Sequence, residues 1–486
     1  MLVIISDLHL GDGTAADSIP ASAFHLFAKR LRQDAHFASV RNGNYRPIDE
    51  LDVILIGDIL DPVHSTRWLF PAPGNEEYVR VGAENLPRIT EPGEKHYVRP
   101  WTDSSDPRFA AKLMEVTRAI LEQKENRESF AVMRKLARGE FIDFDLPDDS
   151  GGRMYNSPAK IPLRVRFHYM VGNHDWYYHL EGEAFDRIRQ EIITAMGLCN
   201  PPTPFPFDLR KADPTAPWKA DAAPDIERLF REYKVFGRHG DCFDSFNFDS
   251  EKGRDYSALG DPFTMEVCNR YPEELKRRSQ VSQAVIDNLR NITNVRPALA
   301  TPLWVTGQLK KLTLENKLLK AREGELKRIW DELAENFLDL DFVRQADKAF
   351  DFDIVDTMQL VIKVSKVISM DTIDSLVFRL QNRKRTSVDR SFANFALQEP
   401  SFLDNSARYI VYGHTHHHET IPLDYSDAGG NQIYFNSGTW HTYFDLARKN
   451  PREKKFIPYK ALTYITFYKD HEHDERHFET WSGAYA

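Results

Sequence analysis

Short apolar runs that stop abruptly at polar clusters set the rhythm of this chain. "LVIIS" (2–6) ends at Asp7-Leu8-His9, and "LDVILIGD" (51–58) leads into "GDILD". "VRFHYMVGNHD" (165–175), "YKVFGRHGD" (233–241), "ARYIVYGHTH" (407–416) and "NQIYFNSGTW" (431–440) follow the same plan. Runs of this length and β-branched content predict buried strands. The polar residues fall just past each run, where open α/β sheets and sandwiches place their sites. Asp7 and His9, two residues apart at the end of the first run, are expected to point the same way through the strand period of two.

Two long insertions separate these runs. Residues 62–160 open on a Pro/Gly-rich part and continue into a helical stretch, "PRFAAKLMEVTRAILEQKENRESFAVMRKLARGE". The second insertion, 262–400, reads as mostly helical. Within it Leu312, Leu319, Leu326 and Leu333 recur at strict sevens with Ile329 beside them. That spacing predicts an amphipathic helix, a helical hairpin or a coiled-coil pair, either docked on the core or offered to a second copy or a protein partner. A proline-rich connector (200–224) carries aromatic residues and is expected to pack. The polar end, with His471, His473 and His477, reads as a solvated strand end. The organisation expected is therefore a core of 1–261 and 401–486, with a helical module at 262–400.

Composition narrows the class. The 486 residues are 41% hydrophobic and 28% charged, ordinary for a soluble globular protein. A net charge of -9 argues against a general binder of nucleic acid or anionic membrane. Three scattered cysteines, with no CxxC pair, argue against a thiolate zinc site and suit a reducing cytoplasm. The start lacks a basic n-region, and no apolar run approaches the roughly 18 residues of a membrane span.

The polar residues beyond the strand ends are Asp7, His9, Asp58, Asn173, His174, Asp175, His239, His414 and His416. Singly, each reads as a helix cap or a satisfied polar residue. Together, at the ends of separate runs, they read as a site. In "DLH" (7–9), "GDILD" (57–61), "GNHD" (172–175), "HGD" (239–241) and "GHTH" (413–416) the chain resembles the calcineurin-like metallophosphoesterase family. The resemblance covers about half of the chain and leaves both insertions unexplained. It implies an α/β (α+β) fold, a four-layer αββα sandwich, holding two divalent metal ions. Asp7, His9 and His416 would bind the first and Asn173, His239 and His414 the second, with Asp58 bridging. His174 would be the acid or charge stabiliser near the leaving group, and Asp175 would orient it. Asp241 would hydrogen-bond a ligand histidine, and Asp61 would act behind the ligands or in a turn.

The chemistry of these residue types agrees. Two cations about 3.5–4 Å apart clamp a phosphoryl group and ionise a bridging water at neutral pH, making the nucleophile for a phosphodiester, pyrophosphate or phosphomonoester. Mixed His and Asp/Asn donors suit manganese, with iron, zinc or magnesium as alternatives, better than calcium. Two other readings remain open: a DNA/RNA nuclease of the same family, which the acidic balance disfavours, and a catalytically silent metal-binding scaffold that uses the helical insertion for partner binding. Lys276-Arg277-Arg278 and Arg383-Lys384-Arg385 would be the phosphate-binding rim of a nuclease, against the simpler reading as solvated helix faces.

Overall fold

The computed structural model describes residues 1–483 except 16–17, 83, 210–220, 280, 297, 316–319, 350–391, 427–429 and 447–455. It is a mixed α/β structure built on two sheets. The first contains β1 (Leu2–Ile5), β2 (Leu51–Ile56), β3 (Val165–Met170), β8 (Leu462–Phe467) and β9 (Phe478–Gly483), in the order β9-β8-β1-β2-β3. The second contains β4 (Val235–Gly237), β5 (Tyr409–Tyr412), β6 (Glu419–Ser426) and β7 (Gly430–Asn436), in the order β4-β5-β7-β6. Strands β1, β2 and β3 run parallel in the first sheet, and β4, β5 and β7 in the second.

The apolar runs are continuous because both faces of these strands are buried. Leu2, Ile4, Ile54 and Ile56 turn one way and meet Val235, Val411 and Phe435 of the other sheet in a shared core. Val3, Ile5, Val53 and Leu55 turn the other way, under helices α1 (Ala21–Ala38), α2 (Pro107–Glu122), α3 (Lys124–Ala137) and α4 (Glu183–Met196). On the far side of the second sheet, Ile410, Tyr412 and Tyr434 pack against Ala393 and Ala396. Helix α1 connects β1 to β2, and α2 with α3 connects β2 to β3, so the three parallel strands and their crossovers follow the usual βαβ logic. The helical part of the first insertion is thus no outgrowth: Phe109, Leu113, Phe130 and Met133 belong to the main core.

The second insertion has a core of its own, in which Phe263, Tyr271, Leu289, Trp304, Leu326, Trp330 and Phe337 pack together. This core begins earlier than residue 262, with Phe246 and Leu259, and residues 393–403 lie instead on the second sheet. The leucines at sevens do not form one helix. Leu312 lies in a helix over Thr301–Glu315, and Leu326 and Leu333 lie in another over Glu323–Asp339. Leu326 and Leu333 are buried within this local core, so their seam is used inside the chain. Leu319 and Arg383-Lys384-Arg385 lie outside the described residues. Among the described residues no helix is long and apolar enough to cross a membrane.

Buried polar contacts fix the insertion beside the strand ends. The Trp176 Nε1–H donates to Asp261 at 3.1 Å, and the Asn269 amide donates to the Val63 carbonyl at 2.8 Å. Arg99 donates to Glu266 at 2.6 Å. Glu266 and Asn269 sit in a π-helical turn, Thr264–Asn269, and such i→i+5 turns recur at functional segments. Of the proline-rich connector, Phe205 and Phe207 are buried as expected, while His473 at the C-terminal end is buried and paired with Glu479 at 3.2 Å rather than solvated.

Candidate metal centre

The loops after β1, β2, β3, β4 and β5 meet at one end of the two sheets and bring the seven candidate ligands together. Backbone hydrogen bonds lace them. Asp7 N–H donates to Gly57 O at 3.1 Å, His9 N–H to Asp58 O at 2.9 Å and Gly413 N–H to His239 O at 2.9 Å. The closing turn joins the sheets: Trp440 N–H and the Thr439 hydroxyl both donate to Asp7 O, at 3.2 and 2.7 Å. Two glycines make the approach feasible. A Cβ on Gly57, whose φ is +93°, would lie 2.6 Å from His239 Nδ1, and one on Gly413 would lie 2.5 Å from Ser6 Oγ.

Asp7 and His9 do not converge through the period of a strand. β1 ends at Ile5, and the two residues lie beyond it with φ of +54° and +47°. Asp58, His414 and His416 are also left-handed, at +55°, +69° and +63°. Positive φ at non-glycine residues is uncommon and concentrates at functional sites.

The donor atoms form two overlapping sets. In the first, His9 Nε2 is 3.0 Å from His416 Nε2, and Asp7 Oδ1 is 3.8 and 3.4 Å from these nitrogens. In the second, Asn173 Oδ1 is 3.2 Å from His239 Nε2 and 3.0 Å from His414 Nδ1. Asp58 Oδ2 lies between the sets, 3.1 Å from His239 Nε2 and 3.8 Å from His9 Nε2. Asp7, His9 and His416 can together hold an ion, as can Asp58, His239 and His414.

The far nitrogens of three imidazoles are occupied, which fixes the tautomer that turns a lone pair to the centre. His9 Nδ1–H donates to Asp61 at 2.9 Å, His239 Nδ1–H to the Ile56 carbonyl at 3.0 Å, and His414 Nε2–H to Asp244 at 3.0 Å. Asp7 Oδ1 is buried with no hydrogen-bond partner, an orphaned acceptor aimed into the first set. Such an atom costs free energy unless a cation satisfies it. The residues are therefore of a kind and arrangement that could hold metal ions.

The electrostatics agree. Burial opposes charge at every group, yet His239 and the other histidines beside it hold Asp58 well below the usual carboxylate range. Burial likewise works against a proton on His9, but its hydrogen bond to Asp61 and the neighbouring Asp7 and Asp58 carboxylates push it up to about 9. At His239 burial is again overcome, by Asp58 and Asp7, and it rises to about 10. His416 goes well below its ordinary value through burial and then the charge of Arg296. The buried acids draw positive charge inward, and a bound cation would displace those protons.

His174 and Asp175 part company. Asp175 Oδ1 accepts from Gly172 N–H at 2.6 Å, and Oδ2 from Ile59 N–H at 2.8 Å and the Tyr169 hydroxyl at 2.6 Å. With its acceptors filled by loop backbone and Tyr169, Asp175 does not orient His174. That place belongs to Asp61, which accepts from His174 Nδ1–H at 3.0 Å as well as from His9 and from His64 Nδ1–H at 2.7 Å. Asp241 likewise pairs with Arg254, not with a ligand histidine, and Arg254 also donates to the Gly172 carbonyl at 3.1 Å. The histidine-holding acid of that loop is Asp244.

His64, Asp244 and Arg296 join the site beyond the expected set. His64 is buried, and burial pushes it down to about 4. A cavity of about 490 Å³ opens onto Asp58, Asn173, His174, His414 and His416, and residues of the second insertion line its other side. His417 also lines it, with its Nδ1 3.3 Å from the Tyr443 hydroxyl. No family model matches the chain, and no curated protein and no solved structure matches it either.

Proposed function

We propose that the chain is a dinuclear-metal phosphoesterase of the calcineurin-like kind. The observation that carries this reading is the convergence of seven donor side chains from five strand-end loops into two sets sharing Asp58. The layer order, helices on each outer side of two packed sheets, supports assigning the fold as a four-layer αββα sandwich. Asp7, His9 and His416 would hold one ion, Asn173, His239 and His414 the other, and Asp58 both. The ions supply charge that clamps a phosphoryl group and acidifies water. Nitrogen and oxygen donors without thiolate favour manganese, with iron, zinc or magnesium as alternatives.

The chain's own groups do the rest. His174 lines the cavity, its Nδ1–H fixed on Asp61 and its Nε2 4.0 Å from Asp58. From there it holds a proton for the departing oxygen. The inserted wall limits water and restricts access to small esters. Cleavage of nucleic-acid strands is the weaker reading, because the described basic cluster is already paired: Arg277 with Glu273 at 2.7 Å and Arg278 with Glu332 at 2.5 Å.

The test is hydrolysis of bis-p-nitrophenyl phosphate and p-nitrophenyl phosphate by metal-stripped protein with manganese restored, beside Asp58→Ala and His174→Ala. Manganese-dependent cleavage lost in Asp58→Ala and strongly reduced in His174→Ala is expected. Failure to bind two ions, or full activity in Asp58→Ala, overturns the proposal. The preferred ester separates diester from monoester chemistry.

A further inference from the structure

The cavity in front of the candidate ligands has two unlike walls. One is the ligand cluster. The other is built by the inserted helices, with Phe263, Thr264, Ile292, Val295 and Arg296. Its volume of about 490 Å³ falls inside the range of small-ligand pockets, about 300–1,000 Å³.

Arg296 is the one Lys or Arg among the described lining residues. Its Nη1 donates to the carbonyls of Thr293 at 2.9 Å and Val295 at 3.1 Å, and its backbone N–H donates to Phe444 O at 3.1 Å. Among the described residues no carboxylate lies within ion-pair distance of it, while the acids of the ligand cluster act on it through space. A guanidinium held by carbonyls on one arm keeps its remaining N–H groups for a planar fork onto an oxyanion.

Aromatic side chains line the same cavity. Phe246 and Phe263 meet edge to face at 5.9 Å, and Phe392 lies 5.9 Å from the ring of His414. Asn247 and Thr264 interrupt the apolar surface with hydrogen-bonding groups. A lining that combines aromatic rings with amide and hydroxyl groups suits a flat heteroaromatic ring, whereas an alkyl chain has no use for the polar positions. Beside the candidate ligand set, Arg296 is the one guanidinium or ammonium among the described lining residues, which suits the free oxygens of a single phosphate.

Resting on the phosphoesterase reading, we infer that Arg296 and the phenylalanine-lined wall form a subsite for esters of a nucleoside monophosphate. The ligand cluster faces the phosphate, Arg296 forks onto its free oxygens, and the inserted wall takes the base.

Two arms test this with the full chain and manganese. The first compares p-nitrophenyl thymidine 5′-phosphate with methyl p-nitrophenyl phosphate, which share charge and leaving group. Base stacking predicts a preference in kcat/KM of about five- to 150-fold for the nucleoside ester. Arg296→Gln should raise its KM about tenfold or more with a smaller change in kcat, and Arg296→Lys should restore part of the loss. Equal kcat/KM for the two esters, an unchanged KM in Arg296→Gln, or faster internal cleavage of a single-stranded oligonucleotide overturns the subsite. The second arm is calorimetric binding of thymidine 5′-monophosphate. If neither ester is hydrolysed, and p-nitrophenyl phosphate is not hydrolysed either, the phosphoesterase reading fails. Binding that weakens about tenfold in Arg296→Gln would still support the subsite, and absence of binding overturns it.

Discussion

Asp61→Asn separates a side chain that organises the centre from one that merely fills a turn. The carboxylate is buried and accepts four hydrogen bonds. Oδ2 takes His9 Nδ1–H at 2.9 Å and His64 Nδ1–H at 2.7 Å, while Oδ1 takes His174 Nδ1–H at 3.0 Å and His64 N–H at 3.0 Å. An amide presents one oxygen, so in either orientation two of the four donors face an NH2 group. If the imidazoles keep their tautomers, each unsatisfied donor costs about 1–3 kcal/mol, or about 2–6 kcal/mol together. If His9 changes tautomer to accept from the amide, its proton moves to Nε2, the nitrogen that points into the ligand set, and ligation there is lost. Either way manganese affinity at the Asp7/His9/His416 set should fall about 10–100-fold. Calorimetric titration with manganese and urea unfolding, on wild type and Asp61→Asn, measure both quantities. A variant that binds two ions with wild-type affinity and unfolds at the wild-type midpoint refutes the reasoning.

Other outcomes follow from the same geometry. Manganese at about 100 times its dissociation constant should stabilise the protein by about 2.7 kcal/mol, seen as a rise in Tm that Asp58→Ala abolishes. Gly413→Ala places a methyl 2.5 Å from Ser6 Oγ and 2.6 Å from Asp7 Oδ2; it should cost about 1–3 kcal/mol and weaken manganese binding in the same titration. Away from the centre, burial opposes ionisation of Asp52, but hydrogen bonds from His168 and Arg166 outweigh it and bring its pKa down to about 2 from 3.8. The lowered value means stability present above pH 3.8 and lost as pH falls through about 2, worth roughly 2 kcal/mol. The stability difference between wild type and Asp52→Asn, followed by denaturant unfolding, should shrink by that amount across this window; a difference independent of pH contradicts it.

The strands and the gathering of the candidate ligands at their ends were legible because each is a local signal. An unbroken apolar run such as "LVIIS" can be buried on both faces only inside a layered fold, and its polar successors then lie at a strand end. The role of Asp61 was half visible, since the sequence left it either behind the ligands or in a turn, whereas His64 at three residues further on carried no pattern of its own. Asp175 departs from what the resemblance at "GNHD" implied: its oxygens turn inward to Gly172, Ile59 and Tyr169. The inserted helices were legible as helices but not in their seating. Trp176 with Asp261 and Val63 with Asn269 are pairs of ordinary residues distant in sequence, and no periodicity marks them. Leucines at sevens are equally compatible with one helix and with two joined by a break, which is what Leu312 and Leu326 adopt.

The left-handed candidate ligands explain how so crowded a centre is held. A non-glycine residue in that region costs about 1–2 kcal/mol, and Asp7, His9, Asp58, His414 and His416 all occupy it. The cost is borne where the backbone is over-determined. Asp7 alone has its N–H on Gly57, its carbonyl on Trp440 and Thr439, and its Oδ2 accepting from His414 N–H at 3.1 Å. Those contacts reach both sheets and need no ion. The loops are therefore shaped in advance by the meeting of the sheets, while the orphaned Asp7 Oδ1 leaves the centre short of positive charge. Preorganised loops around an unmet charge bind a cation without first ordering the chain, so the whole Coulombic gain is available for affinity. The inserted wall rests on Val63 and Trp176, one loop from Asp58 and one from His174, so a substrate bound as proposed at Arg296 would be held in register with the candidate ligands rather than near them.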